Sequence, residues 1–272
     1  MKKFLLVLII LIVSIFIYSR FINTSGFKVV EDAIPVANLP DSFEDFKIVQ
    51  FSDVLLGSTK SVEDLESIVN RINELNPDII VFTGDLIAKD YDISEDEILQ
   101  VKNLLSSLEC TLYKYAVIGD SDNNNLDLYK EIINDSDFLL LDDASTYIFY
   151  QDVTPIKLTG LTNPQNLEQA LYITDELETV YNIVLTHNPD NIETIANSDV
   201  DLVLAGHSLL GQIRIPFFGG VIKKEGAQKY LDHKYQVNNT SLYVSAGLGT
   251  DNNINFRLFN KPSINLYRLQ KE

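Results

Sequence analysis

The chain has 272 residues and a formal net charge of −18, from 39 acidic and 21 basic side chains. This length is enough for one large domain with a buried core, or for two small ones. The negative charge argues against binding nucleic acid or anionic lipid head groups through the domain surface, because both ligands require positive charge. The single cysteine, Cys110, excludes an internal disulfide and a cysteine-rich zinc site.

The first 22 residues differ in composition from the rest of the chain. Two lysines precede an apolar run from Phe4 to Tyr18, and Arg20 follows it. The run is long for the core of a signal peptide, and it suits a membrane-spanning helix if it continues to residue 22. The sequence shows neither a small-residue cleavage site nor a lipobox cysteine. We therefore predict a single-pass signal anchor over residues 1–22, with the domain outside the cytoplasm, and a cleaved signal peptide as the alternative.

Beyond the anchor, we predict a linker and first strand in residues 23–45 and one domain in residues 46–272. In the first half of this domain, strands at 46–51, 79–82 and 113–118 alternate with two helices. Ser61 and Ser94 are predicted to cap these helices, because each is followed three residues later by an acidic residue. In the second half we predict helices near 166–172 and 191–197, and strands at 138–141, 146–150, 156–161, 212–215, 241–245, 255–258 and 264–269.

Five potential metal ligands each follow a strand-like apolar run: Asp53, Asp85, Asp120, His187 and His207. An aspartate after a strand is weak evidence by itself, since it also caps helices and forms turns. Imidazoles and carboxylates at the ends of several strands together favour a metal site. The alternative is that the two histidines are loop residues that bind the backbone.

These residues belong to a series of short motifs in a specific order. The series is Phe51-Ser52-Asp53, Thr83-Gly84-Asp85, Leu185-Thr186-His187-Asn188-Pro189-Asp190, Gly206-His207 and Val244-Ser245-Ala246-Gly247-Leu248-Gly249. In this order the chain resembles the calcineurin-like metallophosphoesterases, particularly their membrane-anchored bacterial branch, over about residues 46–269. The resemblance implies an α/β (α+β) fold, a four-layer α/β/β/α sandwich of two mixed β-sheets flanked by helices.

The resemblance also implies two divalent ions, bridged by an aspartate at the position of Asp85, that activate a water for attack on phosphate. The first ion would take Asp53 and histidines at positions 55 and 209, where this chain has Leu55 and Leu209. Leucine does not bind metal. We therefore expect apolar packing to fill this half of the site, with the two leucines close together and buried beside Asp53.

The second ion would take Asp85, an asparagine at position 120, and the two histidines His187 and His207. Position 120 is Asp120 here, which also binds metal. The histidine that contacts phosphate in the family is replaced by Ser121, for which the sequence shows no partner base. We predict at most one divalent metal, manganese, zinc or iron, and possibly none.

The function that this pattern favours is a catalytically impaired or non-catalytic module at the membrane that binds a phosphorylated or lipid-linked ligand. The alternative is an active one-metal phosphoesterase that hydrolyses phosphate monoesters, diesters or lipid-linked pyrophosphates. The third histidine, His233, has no ligand role in the family, and we predict that it lies in a surface loop.

Overall fold

The computed structural model describes residues 1–37, 39–173, 177–179, 181–251 and 253–272. It begins with the helix α1 (Lys2–Ile17), which continues as a π-helical turn over Tyr18–Ile22. Within the 21 residues Lys2–Ile22, a stretch of 18 residues has a mean hydropathy of 2.7, and by length and composition the helix is able to cross a membrane. Almost none of this helix is buried against the rest of the chain.

The described strands and the remaining helices include most of the predicted elements, together with a helix at 126–135 and strands at 219–220 and 234–237 that were not predicted. The strands are β1 (Lys28–Val36), β2 (Lys47–Phe51), β3 (Ile79–Phe82), β4 (Lys114–Ala116), β5 (Phe138–Leu140), β6 (Ala144–Ile148), β7 (Ile156–Leu161), β8 (Asn182–Thr186), β9 (Leu202–Ala205), β10 (Arg214–Ile215), β11 (Gly219–Gly220), β12 (Lys234–Val237), β13 (Thr240–Val244) and β14 (Ser263–Lys271). The helices are α2 (Val62–Glu74), α3 (Glu95–Ser106), α4 (Leu126–Asp135), α5 (Leu167–Leu171) and α6 (Ile192–Ile195).

The helices α2 and α3 begin at the predicted capping residues. The Ser61 hydroxyl accepts from the amide of Asp64, and the Asp64 carboxylate accepts in return from the amide of Ser61. Ser94 and Glu97 form the same pair of hydrogen bonds at the start of α3. Such boxes satisfy amides that have no partner inside the helix, which fixes where each helix begins.

The strands form two six-stranded sheets, of order β1-β14-β2-β3-β4-β5 and β12-β13-β9-β8-β7-β6. In the first sheet β14 is antiparallel to β2, and the other neighbours are parallel. In the second sheet the outer pairs β12–β13 and β6–β7 are antiparallel, and the inner strands are parallel. Both sheets are therefore mixed, as the resemblance implied.

Three apolar clusters lie between the layers. The first packs the first sheet on α2, α3 and α4, through buried residues such as Phe51 and Ile68. The second joins the two sheets, and Ile48 and Leu185 belong to it. The third packs the second sheet on α5 and α6. Alternate residues of β2 face different clusters, which is the two-residue period of a strand buried on both faces.

Two of the predicted strands differ from the structure. Residues 255–258 form no strand, and Leu258 makes only an isolated bridge to Ile213. The Arg257 amide instead donates to the carbonyl of Ser19, at the base of the N-terminal helix. The predicted strand 212–215 shortens to β10, because Gln212 has a left-handed backbone with a φ of 50°.

The segment between the N-terminal helix and β1 is packed against the domain. Asn23 and Thr24 are buried, and the Asn23 side-chain amide donates to the carbonyl of Asn260 at 3.4 Å. The Lys60 ammonium donates to the carbonyl of Thr24 at 3.0 Å. The base of the helix is thus held by the domain through specific hydrogen bonds.

Candidate metal centre

The five predicted ligand residues lie in loops at the carboxyl ends of strands from both sheets. They follow β2, β3, β4, β8 and β9 in the order Asp53, Asp85, Asp120, His187 and His207. The loops are joined by backbone bonds, such as that from the Asp53 amide to the carbonyl of Gly84 at 2.9 Å. Across the sheets, the Gln50 side chain donates to the carbonyl of Ala205 at 3.0 Å. The carboxyl ends of the two sheets therefore form one continuous edge.

Three of the five side chains meet closely at this edge. Asp85, His187 and His207 each offer one ligand atom, and these atoms lie within 4.8 Å of one another. Asp85 Oδ2 is 3.3 Å from His187 Nε2, which is 3.1 Å from His207 Nδ1. All three residues are buried. Asp120 Oδ2 lies 3.6 Å from His207 Nδ1, and this side chain is about half exposed at 54%.

The hydrogen bonds of the two imidazoles fix which nitrogens carry protons. His187 Nδ1 lies 2.7 Å from the carbonyl oxygen of Thr83, and His207 Nε2 lies 2.7 Å from that of Glu225. A carbonyl only accepts, so these nitrogens are the donors. In the neutral rings the opposite nitrogens, His187 Nε2 and His207 Nδ1, then carry lone pairs that face each other at 3.1 Å. Two facing lone pairs repel each other unless a cation or a proton lies between them.

The charges of the described residues favour one positive charge on the His187–His207 pair. Burial opposes protonation of His187, but the Asp85 carboxylate prevails and raises the pKa of His187 to about 10. Burial and the charge on His187 together lower the pKa of His207 to about 2. One ring of the pair therefore takes a proton and the other does not.

The donor set fits a divalent metal. Metal-binding histidines commonly donate their other ring N–H to a backbone carbonyl, as both rings do here. Tetrahedral bonds of about 2.0–2.1 Å separate ligand atoms by roughly 3.3 Å. The distances of His187 Nε2 from Asp85 Oδ2 and from His207 Nδ1, 3.3 and 3.1 Å, are close to this value. Two imidazoles with carboxylates suit zinc, manganese or iron.

Asp53 is not one of the three residues whose ligand atoms meet. Its Oδ2 accepts from the Ser52 hydroxyl at 2.6 Å and from the His207 amide at 3.0 Å. Its Oδ1 is buried and has no hydrogen-bond partner among the residues that the structure describes. Burial raises the pKa of Asp53, and the charge of His187 partly opposes this rise.

Leu55 and Leu209 are buried, with exposed fractions of 6% and 1%. Both have left-handed backbones, with φ of 49° and 48°. A Cβ added at Gly247 would lie 2.4 Å from Leu209 Cδ2 and 2.8 Å from Asp53 Cβ, so Leu209 and Asp53 pack on the same glycine. The expected burial of both leucines is confirmed, and Leu209 lies beside Asp53.

The chain matches the family model for calcineurin-like phosphoesterases over residues 46–210. This chain belongs to the calcineurin-like metallophosphoesterase family. It is 30% identical over 260 residues to the uncharacterized metallophosphoesterase YkuE of Bacillus subtilis, an alignment that covers 93% of this chain and 89% of the relative. The family and the mixed two-sheet fold expected from the motifs are confirmed.

Two further relatives of this metallophosphoesterase carry more specific names. The UDP-2,3-diacylglucosamine pyrophosphatase LpxG of Chlamydia muridarum is 27% identical, over 85% of this chain and 86% of the relative. A transmembrane protein with metallophosphoesterase domain from Danio rerio is also 27% identical, over 82% of this chain. The alignment spans 53% of the Danio rerio protein, about half its length.

Asp122 was not among the predicted site residues, although its carboxylate organises the metallophosphoesterase site. Its two oxygens accept from the amides of Asp85, Leu86 and Gly119 at 2.8–2.9 Å. Burial, reinforced by the charge of Asp85, raises the pKa of Asp122 to about 7. The sequence signal for this role is the second aspartate of the Gly119–Asp122 segment. A search limited to the first acidic residue after each strand does not find it.

Lys224 is a second residue of this site that the sequence did not indicate. The positive charge of its ammonium acts to lower the pKa values of Asp53, Asp85 and His207. It lies in the turn that carries Glu225, whose carbonyl binds His207, and its Nζ is 3.9 Å from Asp251 Oδ2. The turn comes from a distant part of the sequence, so only the folded chain brings this positive charge to the edge.

Ser121 and His233 complete the account of the predicted residues. The Ser121 amide donates to Asp85 Oδ1 at 2.7 Å, while the buried Ser121 hydroxyl has no partner within the described ranges. His233 lies immediately before β12 and is partly buried. Its Nε2 pairs with Asp32 Oδ2 at 2.8 Å, and its Nδ1 with the carbonyl of Val244 at 2.9 Å. It therefore links the two sheets, away from the metal ligands.

Proposed function

We propose that this chain is a membrane-anchored, extracytoplasmic metallophosphoesterase-fold protein whose site holds one divalent metal instead of two. Asp85, Asp120, His187 and His207 would hold it. When bound, such an ion offers positive charge to the oxygens of a phosphate. The observation that carries the proposal is the buried cluster of Asp85, His187 and His207, in which His187 Nε2 and His207 Nδ1 face each other while the opposite nitrogen of each ring binds a carbonyl, so that a metal ion or a proton lies between them.

The other half of the site supports the loss of the first metal. Leucines occupy two of the ligand positions, and Asp53 Oδ2 is already engaged by the Ser52 hydroxyl and the His207 amide. Leucines in left-handed backbones are uncommon, whereas histidine is enriched there. This backbone conformation is therefore better suited to histidine than to the leucine present.

The charges of the site are also consistent with one ion. Three carboxylates, Asp53, Asp85 and Asp120, contribute up to three negative charges, of which one divalent ion offsets two. The ammonium of Lys224 adds positive charge near Asp53 and Asp85.

A site with one ion lacks half of the clamp that stabilises in-line displacement, and Ser121 replaces the histidine that contacts phosphate. The missing general acid typically costs about 10²–10⁴ in rate, and the missing ion several kcal/mol more. Each 1.4 kcal/mol corresponds to about tenfold. We therefore propose that the protein binds its ligand and turns it over weakly or not at all.

The proposed ligand is a phosphorylated group on a membrane lipid. Arg20 at the base of the N-terminal helix lines a surface cavity of about 520 Å³ together with residues 56–64, which begin three residues after Asp53 and include Lys60. The LpxG relative is named for a pyrophosphatase acting on a diacylated sugar nucleotide. An anchor beside the site would keep such a ligand within reach.

The test is metal stoichiometry by elemental mass spectrometry on the full chain in detergent, alone and as His187→Ala. His233→Gln is the matched control, because it changes the one histidine outside the cluster. About one equivalent, lost in His187→Ala and kept in His233→Gln, supports the proposal. Two equivalents would overturn the loss of the first metal, and none after reconstitution with Mn²⁺ or Zn²⁺ would overturn the metal itself.

Turnover of p-nitrophenyl phosphate with added Mn²⁺ tests the impaired activity separately. We expect no hydrolysis above a His187→Ala/His207→Ala control. Clear turnover that the double substitution abolishes would contradict the impaired role and support an active one-metal phosphoesterase.

A further inference from the structure

An exposed aromatic patch lies on the hairpin formed by β10 and β11. Phe217 and Phe218 occupy its turn with exposed fractions of 105% and 86%, and Phe259 beside it is 62% exposed. Phe259 and the hairpin line one shallow surface pocket together with Ile215. Large apolar side chains grouped in this way on a soluble surface mark an interaction site. We call Ile215, Phe217, Phe218 and Phe259 the aromatic patch.

Two members of the aromatic patch are held in conformations that phenylalanine rarely adopts. Phe217 has a φ of 70° and Phe259 a φ of 51°. A left-handed backbone costs a bulky residue of the order of 1–2 kcal/mol. The hydrogen bond from the Phe218 amide to the carbonyl of Ile215 at 3.0 Å closes the turn in which Phe217 lies, and both rings are exposed.

The aromatic patch is continuous with the base of the N-terminal helix. The Arg214 amide in β10 donates to the carbonyl of Leu258, and the next residue is Phe259. The same segment meets the helix through the bond from the Arg257 amide to the Ser19 carbonyl at 3.1 Å. The Phe16 and Phe256 rings also lie 6.3 Å apart. Residues 256–260 therefore have the helix on one side and the hairpin on the other.

We propose that the aromatic patch inserts into the interface of the bilayer that holds α1, as a second membrane contact. This inference rests on the proposed anchor and goes beyond it, because it orients the domain. Phenylalanine rings are suited to the boundary between head groups and acyl chains. The one basic side chain within the patch pocket, Arg214, is paired with Asp232, so insertion depends on apolar burial and not on anionic lipid.

The contact would turn the metal centre toward the membrane. The 3-10 turn Leu209–Gly211 directly precedes the hairpin and begins two residues after His207. The Asn260 side-chain amide donates to the carbonyl of Leu209 at 2.6 Å, which ties the patch segment to that turn. A lipid with a phosphorylated head group in the same leaflet would then approach the site without leaving the bilayer.

The experiment uses the absence of tryptophan from the sequence, which makes any introduced tryptophan a unique fluorescent reporter. Phe217→Trp and Phe259→Trp are placed in the full chain, in nanodiscs of phosphatidylcholine with and without brominated acyl chains. Phe149→Trp, just after β6 at the outer edge of the second sheet and 47% exposed, is the matched control. Phe16→Trp reports on the anchor helix.

We expect bromine to quench both patch reporters at least twofold more than Phe149→Trp, and this difference to persist in high salt. Quenching of Phe16→Trp without quenching of either patch reporter would overturn the second contact while leaving the anchor intact. Absence of quenching at Phe16→Trp would overturn the anchor and the patch together. The metal and turnover measurements above are independent of either result.

Discussion

His187 Nε2 and His207 Nδ1 face each other at 3.1 Å, while the other nitrogen of each ring binds a backbone carbonyl. In the neutral rings, these two bonds select the tautomers that leave lone pairs on the facing atoms. Because the carbonyls come from the loop after β3 and from the turn at Glu225, the ring orientations are set by two distant segments. A centre of this kind exists only when both segments are in place.

Restoring the missing histidines should restore the second metal. We expect the double substitution Leu55→His/Leu209→His to raise the metal content from about one to about two equivalents, because histidine tolerates the left-handed backbone at both positions. Elemental mass spectrometry measures the change. The control Leu55→Gln/Leu209→Gln introduces polar groups that lack an imidazole, and it should stay at one. Equal metal content in the two variants would contradict the idea that the absent imidazoles are what keeps the first metal from binding.

Asp122 should be a major source of stability. Asp122→Ala leaves three buried amide donors without their acceptor, so we expect a loss of about 3 kcal/mol or more in the free energy of unfolding. Asp122→Asn keeps one oxygen, which still accepts from some of the amides, and should lose about half as much. Urea denaturation of the full chain in detergent compares the three proteins. An alanine variant as stable as the parent would show that water replaces the carboxylate.

Gly247→Ala should destabilise the protein more than an ordinary glycine substitution. Its φ is 66°, and the added methyl group would press on Leu209 and Asp53. We expect about 1 kcal/mol from the backbone and about 1–3 kcal/mol from overpacking. Gly26→Ala is the matched control, because its φ is 62° and nothing lies within 4 Å of the added Cβ. The difference between the two losses, measured by denaturation, isolates the packing around Asp53.

Lys224 should contribute to ligand affinity through its charge. We expect Lys224→Met to weaken binding of inorganic phosphate to the metal-loaded protein by about fivefold, or roughly 1 kcal/mol, as titration calorimetry would show. Lys223→Met removes the neighbouring exposed ammonium and should change affinity little. If both substitutions weakened binding equally, the effect would come from net charge and not from the position of Lys224.

The parts of the fold that depend on local pattern could be predicted from the sequence. Capping boxes at Ser61 and Ser94 and the apolar strands appear where the residues place them. The helix α4 was not predicted, although Tyr129, Ile132 and Ile133 have helical spacing and are buried. With only two turns of apolar stripe, such a helix gives a weak periodic signal.

The segment 255–258 shows why pattern alone is insufficient. Its alternating apolar residues are typical of a strand, but a strand also needs a free edge to pair with. The Arg257 amide bonds to Ser19 and the Phe256 carbonyl accepts from the Gln212 side chain, so the backbone is used by other contacts. Tertiary contacts therefore determine that residues 255–258 form a loop and not a strand, as they often do for short strand-like segments.

The positions of the candidate ligands could be predicted because parallel strands bring their carboxyl ends to one edge. The imidazole tautomers and the left-handed backbones at Leu55 and Leu209 could not, because both depend on atoms far away in sequence. The same holds for Lys224, which reaches the centre from the loop between β11 and β12.

The pairing of β1 with β14 has a consequence for how the protein is made. β1 is the outermost strand of its sheet, and its neighbour there is β14, in a parallel register that runs from Lys28 with Ser263 to Val36 with Lys271. The ribosome therefore produces β1 long before β14, and β1 must wait for most of the domain to be synthesised before its backbone is paired. Removing β14 should thus leave an unfinished sheet, with an open edge at β2 where aggregation begins.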